Sequence, residues 1–159
     1  MAESTGLPIR AAIEQASKWA VDGLQADGVG ALAASELGDT GRREFKNLLR
    51  SFNLELAAIG CPLRRGLDSP EDQQKRLENI RNAMQLAYDL GARKVVVPFP
   101  KLPEPESAAA NTLRESLLAL AAHGDRVGTV VCLEVGLDDA ASVKDYLAAY
   151  DTGALAVNF

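Results

Sequence analysis

The stretch SPEDQQKRLENIRNAMQLAYDLGARKVVVPF, residues 69–99, decides the fold class. Ser69 is a candidate N-cap, Pro70 suits the first helical position, and Asp72 stands where a capping box carries its acid. Leu77, Ile80, Met84 and Ala87 then share one face at helical spacing, which predicts a helix over 69–90 closed by Gly91. Directly after it, residues 94–99 form a short apolar run dominated by β-branched residues. That is how a strand buried on both faces of a parallel sheet reads.

The same helix-then-strand phrase recurs on either side. Residues 10–20 carry Ile13, Ala16 and Ala20 on a helical face, and 23–29 alternate as a strand. Thr40 can cap a helix holding Phe45, Leu48, Leu49 and Phe52, with a strand at 54–59. Residues 106–123 carry Leu113, Leu117 and Leu120, stop at Gly124 and lead into a strand at 129–135. Asp139 or Ser142 starts a last helix through Val143, Leu147 and Tyr150, followed by a strand at 154–159. Five such units predict an α/β fold with a parallel sheet. Trp19 and the other aromatics are assigned to packing. Residues 98–105 hold four prolines, three of them within six residues, which predicts an extended, stiff loop after a strand, where α/β proteins keep ligand loops.

Composition narrows the function classes. The 159 residues carry 17 basic and 22 acidic side chains, a net charge of −5, with 47% hydrophobic residues. This is the profile of one globular domain with a real core. There is no dense Lys/Arg cluster to track a nucleic-acid backbone and no apolar run long enough for a membrane span, so neither partner is expected. The N-terminus MAESTGLPIR does not read as a secretory signal. Two cysteines, Cys61 and Cys132, make no disulfide framework, and reduced thiols in a cytoplasmic protein are expected.

Nucleotide and hydrolase fingerprints are missing from the sequence. Gly28-Val29-Gly30 lacks the third glycine of a dinucleotide loop, and one histidine cannot build a histidine metal cluster. The sharpest local feature is Glu134, an acid near the C-terminal end of the apolar run VVCLEVG. A carboxylate there faces the mouth where parallel α/β enzymes assemble their sites; the plainer alternative is a strand-end acid turned to solvent. Arg64 and Arg65 follow another strand and can grip a phosphate or carboxylate, or else pair with Asp68 or Glu71. Asp27 can face the same mouth or close a turn, and Cys61 reads as a small buried residue. His123 reads as structural, a ring suited to the dipole at a helix end.

Residues 71–97 (EDQQKRLENIRNAMQLAYDLGARKVVV), 113–136 (LRESLLALAAHGDRVGTVVCLEVG) and 154–159 (ALAVNF) together resemble the sugar phosphate isomerase/epimerase family, the xylose isomerase-like TIM barrels. The resemblance implies a parallel (β/α) barrel, present here as about five to six of eight strands, with residues 1–159 one domain truncated at the C-terminus. Strand starts lie about 33 residues apart, and eight such units need about 250 residues. It implies a divalent metal (manganese, magnesium or zinc) and metal-assisted proton transfer between adjacent carbons of a sugar or sugar phosphate.

Glu134 matches the family's first metal ligand and is the catalytic candidate. Asn158, one residue before the family's next ligand position, joins Arg64, Arg65 and Asp27 as candidate substrate contacts. The family's fourth-strand histidine is replaced by Val97-Pro98-Phe99. The ion is therefore expected to lack its full set here, and the open edges of an incomplete barrel predict self-association. The alternative is a flavodoxin-like, five-stranded open sheet serving as a ligand-binding or regulatory module without catalysis.

Overall fold

The structure, a computed structural model, describes residues 8–158. The N-terminal segment before Pro8 and the last position of the 154–159 strand lie outside the described residues. Five helix–strand units follow in order: α1 Ile9–Lys18, β1 Gly23–Asp27, α2 Asp39–Ser51, β2 Glu55–Gly60, α3 Gln73–Leu90, β3 Lys94–Pro98, α4 Ala108–Val127, β4 Val130–Glu134, α5 Ala140–Leu147 and β5 Leu155–Asn158. A short 3-10 turn, Gly30–Leu32, interrupts the path from β1 to α2.

The strands are all parallel and lie in chain order, β1-β2-β3-β4-β5. That order, and where the helices sit, separates the two architectures. A flavodoxin-like sheet is ordered 2-1-3-4-5 with helices on both faces. Here all five helices contribute to one apolar core, through Ile13, Phe45, Ile80, Leu117 and Val143 among others, against Leu56, Ile59, Val95, Val131 and Leu133 of the sheet. The opposite face carries a separate small cluster of Ala58, Val96 and Cys132 with Val130 and Ala156 against it, to which no helix contributes among the described residues. A sheet helix-covered on one side, with small side chains on the other, is an arc of a (β/α) barrel whose second face is the barrel interior.

Several local expectations are corrected. Helix α3 begins at Gln73, because Asp72 adopts the left-handed conformation (φ 52°) and its side chain caps nothing. The turn before it is closed instead by Arg76, whose guanidinium donates to the carbonyls of Ser69 and Glu71. Thr40 lies inside α2; Gly38, with extended backbone, is the N-cap. Helix α4 does not stop at Gly124 but continues to Val127, where Gly128 takes the left-handed position. Gly124 serves close packing: a Cβ there would stand 2.5 Å from the Thr129 carbonyl oxygen and 2.6 Å from the Ala154 Cβ. His123 is consequently not at a helix end, and the dipole argument for it falls. Burial and the guanidinium charges of Arg126 and Arg81 hold its pKa below the ordinary imidazole value. Trp19 does not pack; it is 61% exposed. Of the two N-cap candidates for α5, Asp139 is the one used, accepting from the Ser142 amide at 2.9 Å.

Candidate functional site

Strand pairing determines which side chains share the rim. Pro98 pairs with Glu134 and Glu134 with Asn158, so these three form one row at the C-terminal ends of β3, β4 and β5. Residues two apart point to the same face, so this row stands directly above Val96, Cys132 and Ala156 on the barrel-interior side. Backbone bonds from Phe99 N to the Glu134 carbonyl (2.9 Å) and from Val135 N to the Asn158 carbonyl (3.3 Å) extend the ladder past the side chains. Glu134 is exposed and Asn158 half-buried. The carboxylate is thus presented at the mouth, and no ion pair to it exists among the described residues.

The loop after β3 borders this row. It has no regular structure over 99–104, as its prolines predict, and its Leu102 amide donates to Asp138 Oδ2 at 2.8 Å, tying it to the loop after β4. Phe99 anchors the loop from beneath, buried and packed on Tyr146 with ring centroids 6.5 Å apart.

The other candidates lie elsewhere on the rim. Asp27 ends β1, paired with Gly60, and the β2–β3 register sets Gly60 level with Val96, two residues below the Glu134 row. Three strand spacings separate β1 from β4, about 14 Å along the sheet. The Asp27 carboxylate lies against the Cα of Gly60, a position only glycine leaves open. Its charge also reaches Cys61, whose thiol is pushed up to about 11, chiefly by burial and secondly by Asp27.

Arg64 and Arg65 sit on the loop between β2 and α3, about 10 Å of sheet from the Glu134 strand. Both are exposed, and Arg65 makes an ion pair with Glu71. The structure therefore brings Glu134 and Asn158 together and keeps Asp27 and the two arginines apart from them.

Arg64 and Arg65 line a cleft of 390 Å³ together with Asp72, Lys75, Arg76 and Asn79. A second cleft of 380 Å³ shares Cys61, Pro62 and Asn79 with it and runs towards the Gly28–Gly30 turn. Lys75, Arg76 and Asn79 are residues that the sequence reading left out. Their signal was present in the spacing 72, 75/76, 79, 82, a polar row beside the apolar stripe of α3.

Among the described residues no group of three or more His, Cys, Asp or Glu side chains converges to hold a divalent ion. Beside Glu134 stand a proline and an amide, and magnesium or manganese prefers about six oxygen ligands. The residues described here do not form that site.

Comparison with known proteins bears on the fold. The family model described as xylose isomerase-like TIM barrel matches residues 13–149. No curated protein sequence matches the chain. Among solved structures, a xylose isomerase domain protein from Planctomyces limnophilus superposes with a TM-score of 0.80 at 18% identity, over 92% of this chain and 56% of that one. A xylose isomerase-like TIM barrel protein from Mycobacterium smegmatis, solved with magnesium, gives 0.74 at 19% identity, over 94% and 55%. A D-psicose 3-epimerase from Clostridium cellulolyticum H10, solved with D-tagatose, gives 0.73 at 18%, over 95% and 57%. At such identities the likeness is one of fold, and the chain spans just over half the length of these structures.

Proposed function

Because the chain belongs to the xylose isomerase-like TIM-barrel family, we propose that it is a sugar isomerase/epimerase-like protein whose rim moves a proton between adjacent sugar carbons. The observation that carries this reading is the row Pro98–Glu134–Asn158 at the C-terminal strand ends, on the helix-free face of the sheet. A carboxylate in that position can take the proton from a carbon beside a carbonyl, leaving an enediolate. Returning the proton to the neighbouring carbon on the same face gives an isomer, whereas an epimer requires a second acid–base group on the opposite face of the enediolate, which the row Pro98–Glu134–Asn158 does not supply.

In this proposal Glu134 is the acid–base group, and the Asn158 amide holds a substrate hydroxyl by donating from its nitrogen or accepting at its oxygen. Asp27, Arg64 and Arg65 act further along the rim, on parts of the ligand remote from the reacting carbons. The metal-assisted form of the chemistry, which the resemblance implies, requires ligands beyond the described residues. One related structure was solved with magnesium and others act on ketoses such as D-psicose, which supports a small sugar as the substrate class.

Solvent exchange tests this reading. Ketoses such as D-fructose and D-psicose are incubated in D2O with the longest reading frame that contains this chain, with and without manganese, and followed by proton NMR. The C3 proton signal is expected to fade, and Glu134→Gln is expected to slow that loss by at least about a hundredfold. Exchange that proceeds equally in the Glu134→Gln variant would remove Glu134 from the chemistry. No exchange with any ketose would refute the reaction class.

A further inference from the structure

The cleft at the β2–α3 loop has an electrostatic imbalance that proton transfer at Glu134 does not by itself account for. Arg64, Arg65, Lys75 and Arg76 line it against a single carboxylate, Asp72. This clustering runs against the composition of a chain that carries five more acids than bases.

Arg76 is the decisive member. It is 7% exposed, and no carboxylate lies within ion-pair distance of it among the described residues. Its terminal nitrogens donate to the Glu71 carbonyl at 2.9 Å and to the Ser69 carbonyl, while its Nε is buried without an acceptor. Carbonyl dipoles alone therefore face a buried guanidinium charge, an arrangement that is costly without a compensating anion. Two neighbours remain free to supply further donors, since neither Arg64 nor Lys75 has a hydrogen-bond or ion-pair partner among the described residues, and both are exposed. Arg65 is held by Glu71, a carboxylate that competes with any other anion for it.

The shape is also that of a ligand site. At 390 Å³ the cleft falls in the range that holds small molecules. It opens into the adjoining 380 Å³ cleft, where Asn79 and Asn82 offer amides and Gly28 and Gly30 bring backbone close to the surface. One end suits an anionic group and the other a neutral, hydroxylated body.

We propose that this cleft is an anion-binding site, formed by Arg64, Lys75 and the buried Arg76, that holds the phosphoryl or carboxylate group of a small polyhydroxylated ligand. Guanidinium forks and an ammonium supply charge-assisted donors to the anionic oxygens. Arg65 joins them when it leaves Glu71. The site lies two strands from Glu134, and it stands whether or not the rim catalyses proton transfer.

Titration calorimetry on the full 159-residue chain tests it, with inorganic phosphate, D-glucose 6-phosphate, D-glucuronate and D-glucose as probes. Saturable binding of one ion per chain is expected for phosphate or glucuronate, and none for D-glucose. Tighter binding of D-glucose 6-phosphate than of D-glucuronate assigns the phosphoryl group, and the reverse order assigns the carboxylate. Arg64→Ala and Lys75→Ala each alter an exposed side chain, leave the fold intact, and are expected to weaken binding about tenfold. Glu71→Gln releases Arg65 and is expected to tighten binding several-fold. The proposal is overturned if no anionic probe saturates, if both alanine variants bind like the parent, or if Glu71→Gln binds more weakly.

Discussion

Replacing Gly124 with alanine separates helix propensity from packing. Gly124 lies inside α4, so propensity alone makes Gly124→Ala stabilising by about 1 kcal/mol. The packing term has the opposite sign. The new Cβ would meet the Thr129 carbonyl oxygen at 2.5 Å, the Ala154 Cβ at 2.6 Å and the Met84 Cε at 3.2 Å. Met84 can swing its terminal methyl aside. Thr129 and Ala154 cannot yield so easily, because they are the residues that lead into β4 and β5, and the Val131 amide bonds to the Ala154 carbonyl at 2.8 Å.

Overpacking of this kind costs about 1–3 kcal/mol, and two backbone-anchored contacts place it at the upper end. The net expectation is a loss of about 2 kcal/mol, which for a chain of this size lowers Tm by about 4–8 °C. Thermal unfolding followed by circular dichroism reads it directly. Adding Ala154→Gly removes one of the two contacts, so the double variant should lose less than the sum of the single losses. A Gly124→Ala chain that melts at or above the parent temperature would refute the close-packing account and leave propensity as the ruling term.

Two further predictions concern single groups. The folded Cys61 thiol keeps its proton up to about pH 11, whereas an ordinary thiol releases it near 9.0. Its contribution to stability is therefore intact below pH 9 and lost as pH rises towards 11. In a Cys132→Ser background, iodoacetamide should label Cys61 at pH 8 about a hundredfold more slowly than a free thiol, and Asp27→Asn should speed it by removing a neighbouring negative charge; equal rates by mass spectrometry would contradict the burial argument. Ser107 caps α4 by accepting from the Ala110 amide at 3.1 Å, so Ser107→Ala should cost about 1 kcal/mol in urea unfolding, with Ser107→Asp restoring most of it. An unchanged midpoint would show that the cap carries no stability.

How far the fold was legible depends on the range of the signal. The apolar stripe Leu77, Ile80, Met84 and Ala87 and the run Val95-Val96-Val97 are local patterns, and both are buried as their spacing implies. Local signals also misled where one residue type serves two purposes. Gly124 follows a helical pattern and reads as a stop, yet it is the close-approach point between α4 and the chain entering β5. Thr40 is a good cap in isolation, but the chain path turns two residues earlier, at Gly38. Trp19 is apolar and reads as core, although α1 buries Ala12, Ile13 and Ala16 and ends before the indole reaches that face. Arg76 went unnoticed, because nothing in a linear pattern shows that the turn carbonyls of Ser69 and Glu71 fold back onto it.

The amino-acid sequence by itself determined the alternation of helix and strand, the parallel class that alternation requires, and the strand-end position of Glu134. Each of these follows from spacing within about 20 residues, where backbone geometry ties side-chain direction to sequence position. Only the tertiary structure decided that the helices cover one face of the sheet, that Asn158 stands beside Glu134, and that Arg64 and Arg65 join Lys75 and Arg76 in a separate cleft. Those facts depend on which strands pair, in what register and with what stagger. A one-residue slip in any pairing would send these side chains to the opposite face, and pairing is settled by the packing of the whole sheet.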